Sequence, residues 1–155
     1  MAYKASISDD SSLIDFFLGV GRSLFQGANH FWNINKDVGW GYDNKQSDVM
    51  LIQFLINSTG ATTKLVEDGI FGKKTYKAIK AFQKDYNGFG MGSLYADGAI
   101  NYPVINIPSS GFGTGGGLYT IHALNSVYQK HEPVYFRDIT MAPSLPTVLC
   151  HLLSV

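Results

Sequence analysis

The side chains able to do chemistry are few and scattered along the chain. Four histidines, His30, His122, His131 and His151, and a single cysteine, Cys150, are present. Metal capture or proton relay by histidine needs a partner at a fixed spacing. No pair here stands in H-x-x-x-H or H-E-x-x-H form, and Glu132, the acid after His131, abuts Pro133. Cys150 and His151 are adjacent, which does not orient a nucleophile against its base. No serine sits in a nucleophile elbow. Carboxylates for glycoside cleavage would come from Glu67, Asp68, Asp97 or Glu132. Asp68 and Asp97, however, each precede a glycine and read as turn residues. Gly111-Phe112-Gly113-Thr114-Gly115-Gly116 meets the G-x-G-x-x-G spacing after the strand-like Val104 to Ile107. A nucleotide site would also need a second parallel strand and a placed acid, or a following lysine, and none is found. That stretch reads as a Gly-rich insertion loop. The expectation is a non-enzyme with no cofactor and no metal.

Two groups of residues fit binding better than catalysis. Lys73, Lys77, Lys80 and Lys84 recur at helical spacing with Lys74 beside them, five of the twelve basic residues in one short stretch. Their plain reading is a solvated helix face; their functional reading is attraction to carboxylates or anionic polymers. Aromatic residues near turns, Trp40, Tyr42, Tyr86, Phe89 and Tyr95, offer rings on which sugars and peptide backbones stack. Asn44 and Asn87 could add amide hydrogen bonds. Trp40, Tyr42, Lys73, Lys77, Tyr86, Asn87 and Tyr95 form the candidate ligand-binding set.

Composition narrows the class. The chain has 155 residues, 45% hydrophobic and 14% aromatic, which is enough for one cored domain and excludes a mainly disordered protein. Twelve acids balance twelve bases, so no global field recruits nucleic acid or an anionic membrane. The longest apolar runs, Phe16-Phe17-Leu18 and Val49 to Leu51, are too short to span a bilayer. One cysteine gives no internal disulfide, and its simplest role is a small apolar packing residue. Asp9, Asp10 and Asp15 interrupt the N-terminal stretch, which therefore lacks the usual Sec signal pattern. Any action outside the cytoplasm would need a Sec-independent route.

The elements that must position these residues divide the chain into three parts. Residues 1–37 form an N-terminal arm with helical spacing from Leu13 through Ala28, closed by Phe31 and Trp32. That aromatic stripe must dock on its own domain or on a partner protein. Residues 38–130 carry three amphipathic helices: one capped by Asp48 and running to Asn57, one from Lys73 to Tyr86, and one from Leu118 to Lys130. Residues 131–155 form a C-terminal arm in which Val134-Tyr135-Phe136 suggests a short strand and Thr147 to Leu153 a final helical turn or two. The fold expected is mainly α, a small three-helix bundle with extensions at both ends. Within it, Gln53 and Gln83 each sit late in a helix, and Asp68-Gly69 and Asp97-Gly98 follow at similar intervals. Leu55-Ile56-Asn57 is echoed by Ala123-Leu124-Asn125.

These motifs carry a family resemblance. Val38-Gly39-Trp40-Gly41, Asn44, Asp48-Val49, Ile52-Gln53 and Leu55-Ile56-Asn57 lead into Asp68-Gly69-Ile70-Phe71-Gly72, Thr75, Ala78-Ile79 and Phe82-Gln83. Together they resemble the three-helix peptidoglycan-binding domain family. The opening Val-Gly-x-Gly with Asn before Asp-Val resembles the subset found in phage and secretion-system proteins. In that subset an Asp-Gly turn and a Gly-rich turn precede a last helix ending Ala-Leu-Asn, pieces that look like Asp97-Gly98, Gly115 to Gly117 and Ala123 to Asn125. Residues 102 to 114 are an insertion outside the pattern.

Read physically, Gln53, Asp68, Gly69, Phe71, Gly72, Thr75, Phe82, Gln83, Asp97 and Gly98 are expected to determine the fold. Gly69 and Gly72 should take conformations closed to side chains, Phe71 and Phe82 should dominate the core, and the glutamines should satisfy loop backbone. The resemblance implies a non-catalytic module that binds peptidoglycan at the cell envelope or outside the cell, without nucleic acid or membrane insertion. The alternative is a protein-interaction scaffold or adaptor of a secretion or phage apparatus using the same fold without wall affinity. A small wall hydrolase acting through Glu132 or the histidines is a third reading.

Overall fold

A computed structural model describes residues 1–6, 30–61, 64–88, 94–102 and 119–153. The helix expected between Leu13 and Ala28, Phe89, the strand-like Val104 to Ile107 and the Gly-rich loop at 111–117 lie outside these. In chain order the described elements are β1 (Tyr3–Ser6), β2 (His30–Asn33), α1 (Gln46–Asn57), α2 (Lys73–Gly88), α3 (Thr120–His131), α4 (Pro133–Arg137), a 3-10 turn (Ile139–Met141) and α5 (Thr147–Leu152). The architecture is mainly α, as the periodicities predict, with one small sheet added.

α1 is the hub. Every residue from Ser47 to Ile56 is buried, the pattern of a helix enclosed on all sides and not of one with a wet face. α2, α3 and α5 all pack on it. Leu51, Ile52, Leu55 and Ile56 are almost wholly excluded from water, and each contributes roughly 1.5–3 kcal/mol of burial free energy. Asp48 does not cap this helix. The N-cap position is Lys45, without a side-chain cap bond. Asp48 lies one turn in, buried, and its two carboxylate oxygens accept from the Asn35 and Lys36 backbone N–H groups at 2.9 and 3.1 Å. A carboxylate there also suits the positive end of the helix dipole. Its role is to pin the incoming chain.

β1 and β2 pair antiparallel, with Tyr3 opposite Asn33 and Ser6 opposite His30. Phe31 and Trp32 therefore leave the arm and enter the core. Trp32 is fully buried, its backbone N–H donates to Asn125 Oδ1 at 2.7 Å, and its indole N–H donates to the Phe136 carbonyl at 2.9 Å. His30 Nε2 donates to the same carbonyl at 2.8 Å. Asn125 thus anchors β2 to α3, and has no part in a repeat of Asn57.

The segment Val134-Tyr135-Phe136 is helical, not a strand: Pro133 occupies the first turn of α4, where a missing N–H costs nothing. Phe136 and Leu149 from the C-terminal segment, Ala2 and Trp32 from the N-terminal one, and α1 share one hydrophobic cluster. The largest fully buried side chains are Trp32, Tyr128, Phe54 and Phe136. Phe71 and Phe82, expected to dominate, are partly buried at its edge. The motif run alone does not reveal Trp32 and Phe136, because they come from outside it.

Candidate binding surface

The two Asp-Gly turns are built the same way, and each is held by one buried glutamine. Gln53 Nε2 donates to Asp68 Oδ1, the Ile70 carbonyl and Thr75 Oγ1, each at 3.1 Å, while Gln53 Oε1 accepts from Gly69 N–H at 2.9 Å. Gln83 repeats the pattern on Asp97, Ala99, Thr120 and Gly98. In both turns the aspartate also accepts from the N–H two residues on, an Asx turn. Asn57 and Asn87 complete the correspondence: each side chain brackets the backbone of a following leucine, Leu65 and Leu94 respectively. The units thus run Gln53–Asn57–Asp68 and Gln83–Asn87–Asp97. The pairing of Asn57 with Asn87 was legible as a 30-residue offset shared with the two glutamines.

Gly69 and Gly98 have φ of +74° and +73°. A Cβ at Gly69 would lie 2.8 Å from the Gln46 backbone oxygen, and one at Gly98 would collide with the Tyr76 ring. Glycine is required at both. Gly72 differs from the expectation: its φ is not positive and a Cβ there would meet nothing within 4 Å.

These turns set two candidate surfaces. The first is an aromatic platform. Val38 pairs with Ile100 through two backbone hydrogen bonds, which fixes the loop carrying Trp40 beside the second Asp-Gly turn. Asn44 shapes that loop by accepting from Gly39 N–H and donating to the Gly39 and Tyr42 carbonyls. Its amide is occupied by its own backbone. Trp40 is 59% exposed and meets Phe71 edge-on at 4.9 Å and Tyr76 at 5.9 Å between ring centroids. Lys80 Nζ stands 5.8 Å above the Tyr76 ring, a cation–π distance. Tyr76 was missed from sequence, although it lies one helical turn before Lys80. Tyr42 is exposed nearby in sequence.

The second surface is a cleft of about 1020 Å³ between the C-terminal parts of α1 and α3 and the length of α2 from Lys74 to Tyr86. Ile56, Leu65, Ala78, Phe82 and Val127 supply apolar lining; Lys74, Lys77, Lys84, Lys130 and His131 stand around it, with Asp85 the one acid. Of the candidate ligand residues, Lys77 and Tyr86 line this cleft. Lys73 is exposed at the start of α2. Tyr95 is 79% exposed on the loop before the second Asp-Gly turn. Asn87 is committed to the Leu94 staple.

Other titratable groups serve packing. His122 is fully buried between Phe31 and Tyr119, and burial pushes its pKa down to about 3. Burial lowers the His30 pKa as well, against the raising effect of its bond to the Phe136 carbonyl. Burial raises the Asp48 and Glu67 carboxyls, opposed by hydrogen bonds from Asn35 and Lys36 and from Asn57. Glu132, His131 and His151 are exposed and Cys150 is partly buried. Among the described residues no three His, Cys, Asp or Glu side chains gather to hold a metal, and no helix is long and apolar enough to cross a membrane.

Comparison with known proteins adds one match. The chain matches no curated protein and no solved structure. Residues 45–88, which span α1, the first Asp-Gly turn and α2, match the family model described as "Putative peptidoglycan binding domain". The resemblance read from the motif run is thus found independently in the stretch that holds Gln53, Asp68, Gly69 and Thr75.

Proposed function

We propose that this protein attaches to bacterial peptidoglycan as a non-catalytic binding module. The observation that carries the reading is the family match over 45–88, because that stretch supplies α2 with its lysines and both Phe71 and Tyr76 of the aromatic platform. The exposed Trp40 ring, backed by the partly buried Phe71 and Tyr76, suits the face of a sugar ring, and Lys80 beside them suits the carboxylates of the wall peptides. Peptidoglycan as ligand implies action at the cell envelope or outside the cell. Co-sedimentation with purified sacculi tests the reading: a bound fraction that saturates supports it, and a protein that stays in the supernatant at low salt sinks it.

The alternative is a scaffold or adaptor of a secretion or phage apparatus. Its motive was the aromatic N-terminal arm, and two of those aromatics, Phe31 and Trp32, are engaged in the chain's own core. Light scattering after size exclusion separates the readings, since a scaffold without wall affinity should self-associate or capture a partner while leaving sacculi unbound.

A further inference from the structure

The cleft combines two features that rarely share a surface. Its lining is mostly aliphatic and aromatic, with Ala78, Phe82 and Val127 among the side chains. Around it stand four lysines, Lys74, Lys77, Lys84 and Lys130, against one acid, Asp85. A chain with no net charge thus gathers a third of its basic residues around one concavity. A purely ionic polymer would gain nothing from the apolar lining, and a neutral sugar would leave the lysine charges unmatched. A short peptide with methyl side chains and free carboxylates uses both.

A second observation lies in the wall itself. Tyr86 is only 2% exposed, lines the cleft, and its hydroxyl has no hydrogen-bond partner among the described residues. A buried hydroxyl left unpaired is costly, so a polar ligand group reaching it would be selectively favoured.

We infer that this cleft is the seat of the peptide part of peptidoglycan: the acidic stem peptide lies along α2 with its alanine methyls on Phe82 and Val127 and its carboxylates among Lys74, Lys77 and Lys130. This rests on the proposed wall binding and assigns the peptide and the glycan to different surfaces, the cleft and the Trp40 platform. The lysines are solvent-exposed, so their removal leaves the fold intact.

The test uses the full chain and N-acetyl-L-Ala-γ-D-Glu-L-Lys-D-Ala-D-Ala as soluble probe, beside the same peptide with its carboxyls amidated. Titration followed by NMR should show saturable shifts at Ala78, Phe82 and Val127. Amidation, or the double change Lys77→Gln with Lys130→Gln, should weaken binding about tenfold or more. Tyr86→Phe should weaken it by a smaller factor without changing the thermal midpoint downward. Sacculus sedimentation of the parent protein is run in parallel. Sacculi that bind while the peptide does not, or peptide shifts confined to Trp40 and its neighbours, overturn the peptide assignment and leave wall binding standing. Failure of both overturns both. Binding of polyphosphate but not of the peptide also refutes the assignment, in favour of an anionic polymer.

Discussion

Replacing Gln53 by glutamate changes one atom pair and should unlock the first Asp-Gly turn. Gln53 Nε2 faces three oxygens at 3.1 Å, and only Thr75 Oγ1 belongs to a hydroxyl that can turn to donate. In Gln53→Glu at neutral pH, the Asp68 carboxylate and the Ile70 carbonyl would each face a second oxygen. Two lost donors at a site only 1% exposed, at roughly 1.5 kcal/mol each, give a destabilisation of about 3 kcal/mol. That is a large part of a typical domain's stability and corresponds to a drop in thermal midpoint of roughly 6–12 °C. The sign of its pH dependence follows. A glutamate among acceptors has a folded-state pKa raised above its unfolded value, so the variant is least impaired below the unfolded pKa and loses stability as pH rises through the folded one. Urea unfolding followed by the fluorescence of buried Trp32, at pH 7 and again near pH 4.5, measures both effects. A Gln53→Glu protein as stable as its parent at pH 7 would refute the claim that this amide holds the turn.

Gly69→Ala should destabilise by at least about 1–2 kcal/mol from the left-handed backbone alone, with the Gln46 collision added, while Gly72→Ala should stay within about 0.5 kcal/mol of the parent; thermal midpoints of the pair decide. Stability should fall on acidification from pH 6.5 towards 5, because the His122 pKa is lowered to about 3, and a group with a depressed folded pKa and a neutral buried form loses stability once the unfolded chain protonates. The slope per site approaches about 1.4 kcal/mol per pH unit. The raised Asp48 and Glu67 carboxyls work in the opposite sense, so the histidine part is isolated by substitution: His122→Leu should flatten the slope, leaving the part due to His30, and an unchanged slope would refute the assignment. Trp40→Ala should lower sacculus retention by roughly threefold to tenfold, the worth of one aromatic contact, with little change in midpoint because the ring is more than half exposed.

Much of this was legible in the residues. Gln53, Gln83, Asp68-Gly69 and Asp97-Gly98 stood out because a buried amide and an Asx turn leave fixed residue types at fixed spacing. α2 was visible from its alternation of lysine and apolar positions. Less was legible where burial came from outside the motif. Asp48 looks like a cap in sequence but serves the backbone of Asn35 and Lys36, a contact with no local signature. Val134 to Phe136 are strand formers overruled by Pro133 and by Phe136 packing against His30, whose ring stacks on it at 4.9 Å. The aromatic platform is half legible: Trp40 reads as a turn-flanking ring on which a sugar could stack, but its contacts with Phe71 and Tyr76 depend on the Val38–Ile100 pairing, which spacing does not reveal. The cleft was invisible, since Lys130 and Val127 reach it only when α3 docks beside α2.

The claim that matters most is wall attachment, and the direct measurement is a sacculus binding isotherm for the parent protein beside Trp40→Ala and Lys77→Gln with Lys130→Gln. The account predicts saturable sedimentation of the parent, weakened separately by loss of the platform ring and by loss of the cleft lysines. A parent protein that remains in the supernatant at low salt and at every sacculus concentration would contradict it.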